Sequence, residues 1–244
     1  EKLDEESMSL SHRIGQPIMN GLLKLFHSTE ATDAHCGFRA FTREALKNME
    51  LKAGGMDFAS ELVIEQERKE LDVKEVPIKL HPRPEGSEAT YSYFSDSWDH
   101  LKLILLRAPT RAFVTPGLVL MVLGVLFWLG SFPALIGWGP ESAVLGAIFL
   151  MAGLQTFGAG VFVKLLGIRR GIVDHNSLSR FFQENFTPAK GFWIGVVLFG
   201  AGVYLALPLG LGGSPLEAEA IYFLMIALGI EIGFLSVVWD LVRE

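Results

Sequence analysis

Four apolar runs, at about 113–135, 143–166, 192–211 and 221–242, set the first limit on what this chain can become. Each is near the ~20 residues that an α-helix needs to cross a bilayer core. Inside lipid the backbone must satisfy its own hydrogen bonds, which four helices do. An all-α, four-helix transmembrane region is therefore expected over residues 107–244. Most ionisable residues lie before Arg111, so a water-facing part, 1–106, precedes the membrane part.

Charge places the loops. Arg107 and Arg111 lead into the first run. The linker between the second and third holds Arg169, Arg170, Arg180 and Lys190, with Lys164 just before it. The short loops 137–142 and 212–219 contain no lysine or arginine. The positive-inside rule then puts the linker, both ends and the N-terminal part in the cytoplasm. Within the linker, 177–186 mixes aromatics with an arginine and reads as a short helix on the membrane surface. Pairs such as Gly158–Gly160 and Gly200–Gly202 would let spans approach closely. Glu231, in the middle of the last run, needs a polar partner: a lipid group, another subunit of a homo-oligomer, or a hydrogen bond inside the bundle.

The net charge of -6, with no basic stripe, argues against a nucleic-acid partner. The single cysteine, Cys36, excludes an internal disulfide and fits a reducing compartment.

In the water-facing part, helices are expected over 9–26, from Thr42 onward, over 60–71 and over 91–106. Pro17 should kink or restart the first. Strands are expected at 37–41 and 73–80, the latter an edge strand because of Pro77. The charged end of the 60–71 helix reads as a solvated face with a Glu65–Lys69 pair.

Between these elements runs Thr32-Asp-Ala-His-Cys-Gly-Phe-Arg-Ala-Phe41. It places an acid, an imidazole, a thiol, a glycine and an arginine within seven residues, a combination seldom buried without partners. Arg39 offers a rigid donor fork for phosphate or carboxylate. Gly37 suggests unusual dihedrals or a close approach to a ligand. The same residues would also suit a strand-edge loop closed by an internal Asp–Arg pair.

The run resembles the central motif of family 2 glycosyltransferases of the dolichyl-phosphate mannose synthase type. The likeness continues through Gly55-Met-Asp-Phe-Ala-Ser-Glu-Leu62, Glu75-Val-Pro-Ile78 and His81-Pro-Arg83, and covers about the first 105 residues. It implies an α/β nucleotide-diphospho-sugar transferase (GT-A-like) domain, here only its C-terminal part. The Asp-x-Asp half that binds the donor and a divalent metal, Mg or Mn, should precede residue 1. No Asp-x-Asp occurs in this sequence, so the metal's ligands are not expected in it.

The implied reaction moves a sugar from a nucleotide sugar to a polyprenyl or dolichyl phosphate, with inversion. Such a step needs placement and charge stabilisation more than a general base. The resemblance assigns Asp33 to the donor sugar or to orienting Arg39, Arg39 to a phosphate, and Glu61 to a sugar hydroxyl or a basic partner. Gly37 and Phe38 belong to the same pocket. His12 and Arg13 lie where the lipid acceptor enters. Arg83, Gly86 and Ser87 form a flap over the diphosphate. Glu88 stands where the family carries a base, and an acid there repels a diphosphate. Two other expectations therefore stay open. One is a non-catalytic membrane module that binds or translocates a polyprenyl-linked lipid. The other is a scaffold for a partner transferase.

Overall fold

The computed structural model describes residues 2–3, 10–55, 57–80, 93–132, 135–209 and 216–243. The chain divides into two compact units, Glu1–Ala108 and Pro109–Glu244.

The first unit contains α1 (Leu10–His27), α2 (Arg43–Asn48), α3 (Phe58–Arg68) and α4 (Tyr93–Arg107). Its core joins Leu23 of α1, Val63 and Ile64 of α3, and Ile104 of α4 to Ala34 of the motif loop. Met19, Leu22 and Phe26, at helical spacing on α1, pack against it. α1 runs through Pro17 as one helix. Thr42 caps α2, its hydroxyl accepting from Ala45 N at 3.1 Å.

The α/β expectation is overturned. Among the described residues, pairing is confined to two residues of β1 (Lys2–Leu3) against two of β2 (Lys79–Leu80), in parallel. Segments 37–41 and 73–78 are irregular instead of strands. A strand needs a neighbour to receive its backbone groups, and the described residues supply none along either segment. The charged end of α3 also departs from expectation. Glu65 is fully buried and pairs with Arg68 and Arg107, while Lys69 turns to Glu50 at 3.1 Å.

The second unit opens with a π-helical turn, Thr110–Val114, that continues into α5 (Thr115–Gly130). Then come α6 (Glu141–Arg169), α7 (Ser177–Asn185), α8 (Pro188–Leu209) and α9 (Leu216–Arg243). Four stretches are long and apolar enough to cross a membrane: Thr110–Gly130, Glu141–Arg169, Pro188–Leu207 and Ala218–Asp240.

Glycine seams hold these helices together in pairs. A Cβ at Gly117 would lie 2.5 Å from Phe157 N, and one at Gly153 would lie 2.7 Å from Met121 N, so α5 and α6 touch backbone to backbone. Gly195 and Gly229 do the same for α8 and α9, with hypothetical Cβ contacts of 2.6 Å to Gly229 O and 2.5 Å to Phe199 N. α7 opens with a capping box between Asn176 and Ser179. Its Phe182 ring lies 6.0 Å from that of Phe157 on α6. In α9 the Oε2 of Glu231 is buried and makes no hydrogen bond among the described residues.

Candidate functional site

The motif loop is held from both sides. From α1, Gln16 Nε2 donates to Asp33 Oδ1 at 2.6 Å, and Asn20 Nδ2 donates to the Thr32 carbonyl at 2.8 Å. Asn20 Oδ1 accepts from Ala34 N at 3.3 Å. Gln16 and Asn20 are four residues apart and so share one helix face. From the opposite side, the Glu75 carboxylate accepts from Thr32 N at 2.8 Å and from Thr32 Oγ1 at 2.6 Å. The Thr32 hydroxyl above all holds the Glu75 carboxyl below the usual carboxylate range; burial opposes it, and the Thr32 and Asp33 N–H groups and the Arg39 charge add to it.

Within the loop, Asp33 Oδ1 also accepts from His35 N at 3.0 Å, a local turn that aspartate commonly makes. Arg39 folds back on its own segment. Its Nε donates to the Cys36 carbonyl at 2.8 Å and its Nη2 to the Ala34 carbonyl at 2.6 Å. Partial burial lowers the Arg39 pKa, while Cys36, Asp33 and Glu75 oppose that shift. The guanidinium remains charged at neutral pH. Neither Arg39 Nη1 nor Asp33 Oδ2 makes a hydrogen bond among the described residues.

Asp33 and Arg39 line an open cleft of about 770 Å³, together with Cys36, Phe38, Phe41, Lys74 and Glu75. Phe38 is 81% exposed. Gly37 has an ordinary negative φ, and a Cβ there would meet nothing within 4 Å. The protein's own packing therefore does not demand glycine at that position.

Behind the loop, the fully buried Ser60 hydroxyl lies 2.8 Å from His100 Nδ1 and 3.5 Å from His35 Nε2. The two imidazoles meet edge to face at 4.7 Å. This links the motif loop to α3 and α4.

Glu61 does not line the cleft. It is 1% exposed. Its Oε2 accepts from Lys52 N at 2.8 Å and Ala53 N at 2.7 Å, and its Oε1 pairs with Arg107. Arg107 also pairs with Glu65, whose Oε2 accepts from Glu50 N at 3.2 Å. The structure thus brings Asp33, Phe38 and Arg39 together and gives Glu61 a basic partner elsewhere.

His12 and Arg13 fall in the first turns of α1, where the side chains lie outside the described ones. Arg83, Gly86, Ser87 and Glu88 lie outside the described residues altogether. Among the described residues no group of three or more His, Cys, Asp or Glu side chains could hold a metal ion. These residues therefore do not fit a metal site. Sequence reasoning missed Gln16, Asn20, Glu75, Ser60 and Arg107. For Gln16 and Asn20 a signal existed: two amides at i,i+4 on one face of α1.

Two proteins of Haloferax volcanii are similar to this chain. The low-salt glycan biosynthesis hexosyltransferase Agl6 is 34% identical over 199 residues, 80% of this chain and 47% of its own length. Both are glycosyltransferases by name, and the similarity is what this chain shares with them. The second, the glycosyltransferase AglJ, is 30% identical over 146 residues, 60% of this chain and 43% of its own length. The chain spans about half the length of the curated relatives it matches. No family model and no solved structure matches it.

Proposed function

We propose that this chain is the acceptor-side and membrane part of a family 2 glycosyltransferase that moves a hexose from a nucleotide sugar to a polyprenyl phosphate, with inversion. The observation that carries this reading is the extent of the similarity to the Haloferax hexosyltransferase. It runs over 199 residues, longer than either compact unit, so it takes in part of the motif-bearing unit and part of the membrane-spanning one. An enzyme whose acceptor is a lipid would need both.

In this reading a phosphate oxygen of the acceptor attacks the anomeric carbon. The bond from that carbon to the donor's diphosphate oxygen breaks, and the nucleotide leaves with the electron pair. The nucleophile is already anionic near neutral pH, so no proton need be removed. What the site must supply is positive charge and placement. Arg39 and Lys74 are the cations lining the cleft, and the Arg39 guanidinium is oriented beforehand by the Ala34 and Cys36 carbonyls. Asp33 Oδ2 is placed to accept from a sugar hydroxyl while Oδ1 is held by Gln16. Glu61 contributes by fixing Arg107 and the 52–53 backbone. Donor-side binding, and the divalent metal expected of such enzymes, would be supplied from outside this chain. The cleft would face the cytoplasm, as the positive-inside rule places it.

The test uses membranes containing the complete protein, several labelled nucleotide sugars and a polyprenyl phosphate. Label should pass to lipid with one of the sugars, and R39A should lower transfer by about two orders of magnitude or more while expression and thermal unfolding stay at the wild-type level. Wild-type transfer by a well-folded R39A protein would remove Arg39 from the site. Absence of lipid labelling with every donor would sink the transferase reading.

A further inference from the structure

Lys164 is an unusual cation. It lies inside the second span, five residues and therefore ~7.5 Å before the end of α6 at Arg169. It is only 4% exposed. Its Nζ donates to Thr110 Oγ1 at 2.8 Å, and no carboxylate among the described residues pairs with it. A buried ammonium beside a single neutral hydroxyl is expensive, because a hydroxyl does not replace the hydration of a full charge. A lysine this near a helix end can ordinarily extend its head into the interface. This one points inward instead.

Its position is built rather than incidental. Lys164 stands one turn beyond Gly160 on the same face of α6. A Cβ at Gly160 would lie 2.7 Å from Phe113 Cβ and 2.9 Å from Val114 N, so the π-helical turn presses directly on that face. The Gly117–Phe157 and Gly153–Met121 approaches lock α5 against α6 behind it. Single π-turns within helices often mark functional positions, since the wider turn re-aims side chains. Here the turn begins at Thr110, which is half-buried. Arg111 follows immediately, and Arg169 and Arg170 end α6, so the segment is cationic.

We infer that Lys164 and Thr110 form a binding site for the phosphate of a membrane lipid. The ammonium supplies the compensating charge, and the Thr110 hydroxyl donates to a second phosphate oxygen. Near a span end, the abundant anions are lipid phosphates. The polyprenyl phosphate of the proposed reaction and a bulk phospholipid share this chemistry. The inference rests on the proposed function only for a polyprenyl chain on that phosphate.

The experiment places the full chain in phosphatidylcholine nanodiscs and titrates dolichyl phosphate, dolichol and phosphatidylglycerol separately, with bound lipid counted by native mass spectrometry. Dolichyl phosphate should bind about tenfold or more tightly than dolichol. K164M should lose about tenfold in affinity for it, K164R should keep most of it, and T110V should lose several-fold. Without added lipid, K164M should unfold at or above the wild-type temperature, because a buried cation has been removed. Effective competition by phosphatidylglycerol assigns the site to bulk phospholipid, and its failure to compete assigns it to the polyprenyl carrier; both support a lipid-phosphate site. Unchanged dolichyl phosphate binding by K164M and T110V, or equal binding of dolichol, overturns it. Binding preserved in a protein that transfers no sugar would reject the proposed function and leave this site standing.

Discussion

Glu61 and Arg107 form an ion pair with both side chains almost wholly buried, at 1% and 3% exposure. They are 46 residues apart and join the first turn of α3 to the last turn of α4. The pair is part of a larger arrangement, since Arg107 also holds Glu65, and Glu61 also holds the backbone at Lys52 and Ala53.

Removing one partner should therefore be severe. R107L leaves two carboxylates buried without their main counter-charge and should cost about 3–5 kcal/mol of stability, read as a large drop in thermal midpoint in detergent. Replacing both charges at once, in E61Q/R107M, should cost clearly less than the two single changes summed. Full additivity in that cycle would mean the pair is not coupled.

The glycine seams give a prediction with its own control. G117A would place a Cβ 2.5 Å from the Phe157 backbone, and G153A one 2.7 Å from that of Met121. Each should destabilise the membrane unit by about 1–3 kcal/mol through forced separation of α5 and α6. At Gly200 a Cβ meets nothing within 4 Å. G200A should be neutral or stabilising, because alanine is the better helix former. Denaturant-induced loss of helical circular dichroism in micelles would rank the three.

The Glu75 clamp on Thr32 should weaken with acid. Glu75 titrates below its ordinary value of 4.5, so its contribution is full above that value and is lost as pH falls through the lowered one. The amide of Thr32 should lose exchange protection on acidification beyond the intrinsic change. E75Q, which keeps an acceptor without the charge, should lack that acid step. An identical pH profile in wild type and E75Q would refute the clamp.

Gln16 should act on the loop and not on overall stability. Q16A removes the α1 bond to Asp33 Oδ1, which keeps only its bond from His35 N, and should cost about 1 kcal/mol of folding stability. In the complete protein it should lower transfer several-fold through loop disorder, and Q16E should be worse, since it sets two carboxylates together. Unaltered transfer in both variants would show that Asp33 is not positioned from α1.

Much of this protein was written in its residue pattern. Apolar runs of bilayer length determined four long helices, because hydrocarbon leaves the backbone few alternatives. Helical spacing on α1 and the Thr42 cap were equally local signals. Segments 37–41 and 73–78 are irregular because alternation states what a segment could do, while a ladder also requires a partner segment in register, which only Lys79–Leu80 finds. Only the tertiary structure decided which charges go inside. Glu65 belongs to a charged run that looks solvated, and it is buried because Arg107, 42 residues later, arrives beside it. Lys164 looks like one more basic residue at a span end, and it is enclosed because Gly160 lets the Thr110 turn close over its face. The near-neighbour sequence sets helix length and spacing. Burial of a charge depends on what a distant segment brings to it, and no short-range pattern encodes that.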